Sequence, residues 1–184
     1  MKIQQYLLVL LEVLFPYMLN ADITEDIHFS HIGLEEGLSH STIFAINQDK
    51  GGNLWFATYD GVNKYDGYNF TVYRHQYTHP NSIASDISRC ITMDDSDRIW
   101  IGTREGLSLY NHYKDEFSNY YYKRNGLNVA VTSIIPIKKD WLMLGTAEGI
   151  LLFDRKSVSF RIHYPLLCMD CSRQLWYVRM IVSI

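Results

Sequence analysis

The sequence predicts an all-β protein built from repeated four-stranded antiparallel sheets. A core-forming composition supports a folded chain, with 47% hydrophobic and 20% charged residues. A sequence motif occurs three times, as NLWFATYDGVNKYD (53–66), RIWIGTREGLSLYN (98–111) and WLMLGTAEGILLFD (141–154). Aligned on Thr58, Thr103 and Thr146, the copies lie 45 and 43 residues apart. A repeat of this length indicates an array of similar supersecondary units.

The first residues, MKIQQYLLVLLEVLFPYMLNAD, have the features of a secretory signal peptide. Lys2 supplies a positive start, an apolar run extends from Tyr6 to Phe15, and Ala21 is a small residue at a possible cleavage point. We therefore predict a signal-peptide helix over 1–21 and a periplasmic or other extracytoplasmic location for 22–184. An ordinary buried helix is the alternative. No other stretch approaches the ~18 apolar residues of a transmembrane helix.

Each repeat contains the same succession of strands. An Asp-containing turn leads into a very apolar strand (LWFAT, IWIGT, LMLGT), a tight turn ends in Gly, and a third strand follows (VNKYD, LSLYN, ILLFD). The fourth strands are YNFTVYR, EFSNYYYK and SVSFRIHY. Four short strands joined by hairpins have the size of one β-propeller blade. We predict blades at about 39–75, 84–123 and 129–164, and an incomplete fourth at 166–184.

Recurring residues suggest how each blade is held. Gly at the end of each tight turn fits a hairpin position that needs positive φ, and a small residue before the repeated Thr allows close backbone approach. A Trp at equivalent positions is suited to burial between blades; the third repeat has Met143 there and Trp141 two positions earlier, which predicts different packing. The residues assigned to the repeat are Trp55, Thr58, Gly61, Trp100, Gly102, Thr103, Gly106, Gly145, Thr146, Gly149 and Trp176.

The number of repeats is too small for a ring. Residues 22–184 hold about 3.7 repeats, whereas closed propellers use roughly 4 to 8 blades. By analogy with the segment around Phe117, residues 27–32 are predicted to form an outer strand without a blade of its own. We therefore expect a partial β-propeller whose partners are the remaining blades or a second protomer.

The stretch GLSHSTIFAINQDKGGNLWFATYDGVNKYDGYNF (37–70) resembles the two-component regulator propeller repeat. It is similar to the opening blade of the large extracytoplasmic sensors of bacterial hybrid two-component systems. The resemblance implies a parent with two propellers, an immunoglobulin-like domain, a transmembrane helix, and histidine kinase, receiver and DNA-binding domains. Many such sensors respond to oligosaccharides. It further implies that this chain is an N-terminal sensor fragment without a kinase domain, and so not an enzyme by itself.

Two aromatic and polar segments are candidates for an oligosaccharide site. YRHQYTH (73–79) and YYYKRN (120–125) combine aromatic platforms with polar groups, as sugar sites do. Solvated loops at the ends of outer strands would have the same composition, which leaves that alternative open. The candidate ligand-binding residues are Tyr73, Arg74, His75, Tyr77, Tyr121, Lys123 and Arg124.

Other function classes have less support. The net charge of −3 and the pI of about 6.1 argue against a nucleic-acid partner. We predict no cofactor and no metal: the C-x-x-C at Cys168 has no partner pair, and DDSDR (94–98) fits a hairpin turn better than a calcium loop. The alternatives are a propeller-type glycan lyase or hydrolase, which needs paired carboxylates, and a scaffold that closes its ring by oligomerising.

Overall fold

The structure is a computed structural model that describes residues 29–138 and 140–165. The predicted signal peptide, the incomplete fourth blade with Trp176, and the C-x-x-C at Cys168 lie outside the described residues. The chain divides into two units, Met1–His31 and Ile32–Ile184. Only residues 29–31 of the first unit are described, and they have no regular secondary structure.

The described part of the second unit contains β-strands and no helix. Three four-stranded sheets follow one another along the chain, and in each sheet neighbouring strands pair antiparallel in chain order. These sheets confirm the predicted all-β class and blade architecture. The first sheet is β1 (Ile43–Gln48), β2 (Leu54–Thr58), β3 (Val62–Tyr65) and β4 (Phe70–Tyr73); the second is β5 (Ser88–Met93), β6 (Ile99–Thr103), β7 (Gly106–Asn111) and β8 (Glu116–Tyr120).

A two-stranded hairpin, β9 (Lys123–Arg124) with β10 (Leu127–Asn128), lies in the connection between the second and third sheets. The third sheet is β11 (Val131–Lys138), β12 (Trp141–Thr146), β13 (Gly149–Asp154) and β14 (Ser159–Pro165). We call the three four-stranded sheets blades 1, 2 and 3. They lie within the predicted ranges, except that β14 extends to Pro165.

The repeated Thr-x-x-Gly motif forms the turn between the second and third strands of each blade. Thr103 Oγ1 donates to the carbonyl of Gly106 at 3.0 Å and accepts from the amide of Glu105 at 3.2 Å. Gly106 has φ 150, and a Cβ there would lie 2.6 Å from the carbonyl oxygen of Tyr120. The Thr hydroxyl therefore closes the turn, and Gly is needed because the neighbouring strand leaves no room. Thr58 and Thr146 make the same bond to Gly61 and Gly149.

Neighbouring blades pack through two apolar clusters. Trp55 of blade 1 lies in a cluster with Ile91 and Tyr110 of blade 2. Trp100 of blade 2 lies in a second cluster with Ile134 and Phe153 of blade 3. Both Trp side chains are 1% exposed, as expected for large groups placed between sheets.

The outer face of blade 1 lacks this covering among the described residues. Ile46 occupies the position in β1 that Ile91 and Ile134 occupy in β5 and β11, opposite equivalent residues of the second strand. Ile91 and Ile134 are each 8% exposed, whereas Ile46 is 58% exposed. The difference arises because Ile91 and Ile134 each pack on a preceding blade.

The first strand of every blade has the same irregularity. Pairing shifts register between Ile43 and Ala45 in β1, between Ser88 and Cys90 in β5, and between Val131 and Ser133 in β11. These are edge strands of their sheets, and β5 packs against both β1 and β11. A β-bulge therefore recurs at one place in the repeat.

The predicted outer strand at 27–32 is not found at 29–32. Those residues form no strand, and Phe29 is 93% exposed. A strand requires a hydrogen-bonded partner, and the described chain offers none to this segment. Residues 27 and 28 lie outside the described residues.

Blade 3 differs at the Trp position, as its sequence indicates. Met143 is 5% exposed in β12, and the displaced Trp141 is half-buried with the Arg161 guanidinium 5.1 Å from its ring centre.

Candidate functional site

The connection 74–87 between blades 1 and 2 forms the walls of two grooves; we call it the first link. It starts after β4 and packs along the outer edge of β8, where the Phe117 amide donates to the carbonyl of Asn81 at 2.8 Å. Asn119 Nδ2 donates to the carbonyl of Ser82 at 2.7 Å. The link then returns to the Thr-x-x-Gly turns, because the Gly61 amide donates to the carbonyl of Asp86.

One open groove, which we call the link groove, has a volume of about 500 Å³ and lies between the first link and β8. It brings together three of the seven predicted ligand residues: His75, Tyr77 and Tyr121. The His75 and Tyr77 rings meet edge to face at 4.8 Å, and Tyr77 is 96% exposed. The groove therefore offers aromatic surfaces from both predicted segments, beside the Asn119 amide.

The other four predicted residues lie outside this groove. Arg74 forms an ion pair with Asp60, and Arg124 forms one with Glu148 of the β12–β13 turn. Lys123 is exposed in β9. Tyr73 lines a neighbouring groove of about 220 Å³. The ion pairs of Arg74 and Arg124 attach the connections between blades to adjacent Thr-x-x-Gly turns.

Tyr73 also belongs to a hydrogen-bonded cluster that joins blades 1 and 2. Its hydroxyl and that of Tyr110 each donate to Asp115 Oδ1 at 2.6 Å. The two donated bonds hold the pKa of Asp115 below its ordinary value. Burial raises the pKa of Tyr110 to about 12, with the bond to Asp115 adding to the effect. Both tyrosines are therefore neutral donors at neutral pH.

A second groove, which the sequence did not indicate, has a volume of about 450 Å³. Three turns line it: β1–β2 with Asp49 and Asn53, β5–β6 with Asp97, and β7–β8 with His112 and Tyr113. We call it the turn groove. Successive hairpin turns of an antiparallel sheet lie at alternate ends of the strands. These three turns therefore lie at the end of the blades opposite the Thr-x-x-Gly turns.

The Asp residues of the first two blades do more than form turns. Asp49 Oδ2 accepts from Trp55 Nε1 at 2.9 Å, and Asp94 Oδ2 accepts from Trp100 Nε1 at 2.9 Å. The sequence carried a signal for this bond, because Asp precedes Trp by six residues in both repeats. The third repeat has Ile137 and Met143 at the two positions, so donor and acceptor are absent together.

Other polar groups in the described part of the chain do not form a metal or redox site. Residues 29–138 and 140–165 contain no group of three His, Cys, Asp or Glu side chains arranged to hold a metal ion. Asp94 of the DDSDR turn instead accepts from the amides of Ser96 and Arg98. Burial raises the pKa of the Cys90 thiol to about 12, which keeps it protonated and unreactive.

Comparison with known proteins finds a family model that matches parts of blades 1 and 2. The model of the two component regulator propeller family matches residues 37–60 and 82–105. Each match begins before the first strand of a blade and ends in its Thr-x-x-Gly turn. Residues 37–60 in blade 1 and 82–105 in blade 2 are therefore similar to the two-component regulator propeller repeat.

Similar proteins point the same way. A segment of 49 residues is 47% identical to Histidine kinase P4 of Formosa agariphila, covering 27% of this chain and 4% of that protein. The fold is similar to the extracellular domain of the hybrid two component system BT3049 from B. thetaiotaomicron, with TM-score 0.66, 33% identity, and coverage of 74% of this chain and 20% of that one.

The extracellular domain of BT4673 from B. thetaiotaomicron shares the fold, with TM-score 0.61, 19% identity, and coverage of 73% of this chain and 18% of that one. This chain thus spans a fifth or less of the length of these relatives. Its blades are of the type found in extracellular domains of two-component sensors. None of the described residues forms a helix long and apolar enough to span a bilayer.

Proposed function

We propose that these blades are part of the extracytoplasmic, ligand-sensing propeller of a hybrid two-component system, and that the link groove binds an oligosaccharide. The role is that of a binding module, without catalysis by the blades. The observation that carries the proposal is the meeting of His75, Tyr77 and Tyr121 in one open groove. Sugar rings stack on exposed aromatic faces while neighbouring amides and imidazoles bond their hydroxyls.

The similar proteins support the sensing part of this proposal. The hybrid two component system BT3049 has an extracellular domain that shares the fold at 33% identity. A sensor transmits a signal only if its ligand has different affinities for two states of the protein. The first link suits this requirement because it contacts both blades, through Asp86 to Gly61 and through Asn81 to Phe117.

The test is a binding screen with the full chain. Neutral and acidic oligosaccharides on a glycan array identify a binder, whose affinity is then measured by calorimetry. We expect Tyr77→Ala and Tyr121→Ala each to weaken binding about tenfold, since each removes a stacking face. Tyr68→Ala is the matched control, because Tyr68 is 89% exposed and lies outside the link groove. Equal affinities for the three variants would refute the link groove as the site.

A second candidate function is a scaffold that completes its ring with a second protomer. The observation that favours it is Ile46, which is 58% exposed where its equivalents in blades 2 and 3 are buried against a preceding blade. Sedimentation of the chain tests it: a discrete oligomer that Ile46→Glu dissociates would support the scaffold. A monomer at all concentrations would dismiss it.

A further inference from the structure

The turn groove between blades 1 and 2 has a counterpart between blades 2 and 3, and that counterpart is filled. The β13–β14 turn of blade 3 places Arg155 against Asp94, with Nη1 2.5 Å from Oδ2. The Arg155 side chain is 4% exposed and the Asp94 side chain is 0% exposed. A guanidinium therefore lies on the carboxylate that also binds the Trp100 indole.

The residue equivalent to Arg155 in the turn groove is His112. Asp154 Oδ1 accepts from the Lys156 and Ser157 amides, and Asn111 Oδ1 accepts from the two equivalent amides in its own turn, at 3.0 and 3.3 Å. Both turns end in a residue of positive φ, Val158 at 49 and Asp115 at 56. The turns thus superpose residue by residue, which places His112 where blade 3 has Arg155.

Asp49 is the carboxylate equivalent to Asp94. Asp94 forms ion pairs with arginine side chains, whereas Asp49 accepts hydrogen bonds from uncharged groups. Burial alone would raise the pKa of Asp49, but bonds from Trp55 and Asn53 outweigh it and hold the pKa below its ordinary value. The carboxylate is therefore ionised at neutral pH. No described Lys, Arg or His forms an ion pair with it. Lys64 lowers the pKa of Asp49 by electrostatic attraction without forming an ion pair with it. The Lys64 ammonium lies over the Trp55 and Tyr110 rings instead.

Much of the remaining lining of the turn groove suits a cation as well; Arg98 also lines the groove, but its guanidinium is paired with Asp94 at 2.8 Å. Asp97 adds a second carboxylate, and Tyr110, His112 and Tyr113 add aromatic groups that attract cations. Tyr113 is 98% exposed, so its ring is available to a ligand. The volume of about 450 Å³ is within the range of sites for small molecules.

We propose that the turn groove binds a small molecule through a guanidinium group that lies on Asp49, as the Arg155 guanidinium lies on Asp94. The ligand takes the position that the short His112 side chain leaves open. This site is separate from the link groove and does not depend on the function proposed for that groove.

The experiment uses L-arginine and L-citrulline, which differ in a charged guanidinium and a neutral urea. The full chain is titrated with each, and amide shifts of Asn53 and His112 are followed by NMR. We expect saturable shifts with arginine and at least roughly tenfold weaker binding of citrulline, because a charge-assisted bond is lost. Asp49→Asn is expected to weaken arginine binding by a similar factor. Equal binding of the two ligands, or an unchanged affinity in Asp49→Asn, overturns the proposal.

A second variant fills the groove from within the protein. His112→Arg places a guanidinium where blade 3 has Arg155, and we expect it to abolish the arginine-dependent shifts. Tyr68→Ala, at an exposed position outside the turn groove, is the control that should titrate like the unmodified chain. Arginine binding that survives in His112→Arg contradicts the assignment of the site to Asp49. Neither outcome changes the oligosaccharide test, which reports on other residues.

Discussion

The junction between blades 1 and 2 and the junction between blades 2 and 3 share one aromatic framework. In the first, Trp55 contacts Tyr73 and Tyr110, with ring centres 5.9 and 4.7 Å away. In the second, Trp100 contacts Tyr120 and Phe153 at 6.0 and 5.8 Å. Apolar packing is therefore repeated between junctions with little change.

Apart from the Asp–Trp bond, which both junctions have, the polar groups around that framework differ. Junction 1/2 carries Tyr110 and Asp115, which are hydrogen-bonded, where junction 2/3 has Phe153 and Val158. Junction 2/3 instead has the buried pair of Asp94 and Arg155. These polar connections therefore differ between the junctions, and they add to weaker ones such as the bond from Asn47 Nδ2 to the Ile91 carbonyl at 3.5 Å. The comparison teaches that blade packing sets the geometry, while each pair of blades acquires its own polar contacts.

The largest expected difference between the junctions concerns the two Asp residues bonded to Trp. Asp94→Asn should lower the free energy of unfolding by about 3 kcal/mol, because the buried Arg155 loses this carboxylate. Asp49→Asn should cost only about 1 kcal/mol, since Asp49 has no ion pair among the described residues. Urea unfolding of both variants makes the comparison. Equal losses would mean that the Arg155 pair adds nothing.

The hydrogen-bonded cluster of junction 1/2 gives the next effect. Tyr110→Phe should cost about 1.5 kcal/mol, because it removes a bond to a charged acceptor and reproduces the Phe of junction 2/3. Asp115→Asn and the double variant complete a cycle that isolates the coupling between the two groups. Additive losses in urea unfolding would show that the Tyr110–Asp115 bond has no stabilising role.

Backbone strain in the β13–β14 turn gives a gain in stability. Val158 has φ 49, a left-handed conformation that β-branched residues adopt at a cost. Val158→Asn should raise the free energy of unfolding by about 1 kcal/mol, because Asn tolerates this region. Val158→Ala keeps a Cβ without the side-chain amide and is expected to gain less. A melting temperature that falls in Val158→Asn would argue against strain there.

The smallest effect is a pH dependence at junction 1/2. The Tyr110 and Tyr73 hydroxyls hold the pKa of Asp115 below its ordinary value of 3.8. Such a carboxylate stabilises the fold above its unfolded pKa, and this stabilisation is lost as pH falls through the folded pKa. The destabilisation by Tyr110→Phe should therefore shrink by a few tenths of a kcal/mol between neutral pH and about pH 3. Urea unfolding at both values measures it; a gap that widens in acid is the contrary result.

The blades were predictable from the sequence because their determinants are local. Thr103 and Gly106 close a turn within four residues, and the same spacing recurs in each repeat. Met143 in place of Trp likewise indicated that blade 3 packs differently. The described residues 29–32 of the outer strand predicted at 27–32 form no strand; strand formation depends on a distant partner that a local pattern does not specify.

The candidate sites were only partly predictable. Aromatic composition pointed to His75, Tyr77 and Tyr121, but the ion pairs of Arg74 and Arg124 depend on how connections fold back on neighbouring turns. The turn groove was missed because DDSDR was interpreted as a turn alone. The second role of Asp94 in that turn is to bind Arg155, which is 61 residues away. A contact between two blades cannot be read from the sequence of a single repeat.

The bulge shared by β1, β5 and β11 bears on self-association through sheet edges. A flat edge strand presents a ladder of free amides and carbonyls that foreign chains can extend into cross-β fibrils. At least one irregularity interrupts the regular pairing of the first strand in each blade, and β11 has a second between Pro136 and Lys138. A bulged first strand is a poorer template for edge-to-edge pairing than a flat one.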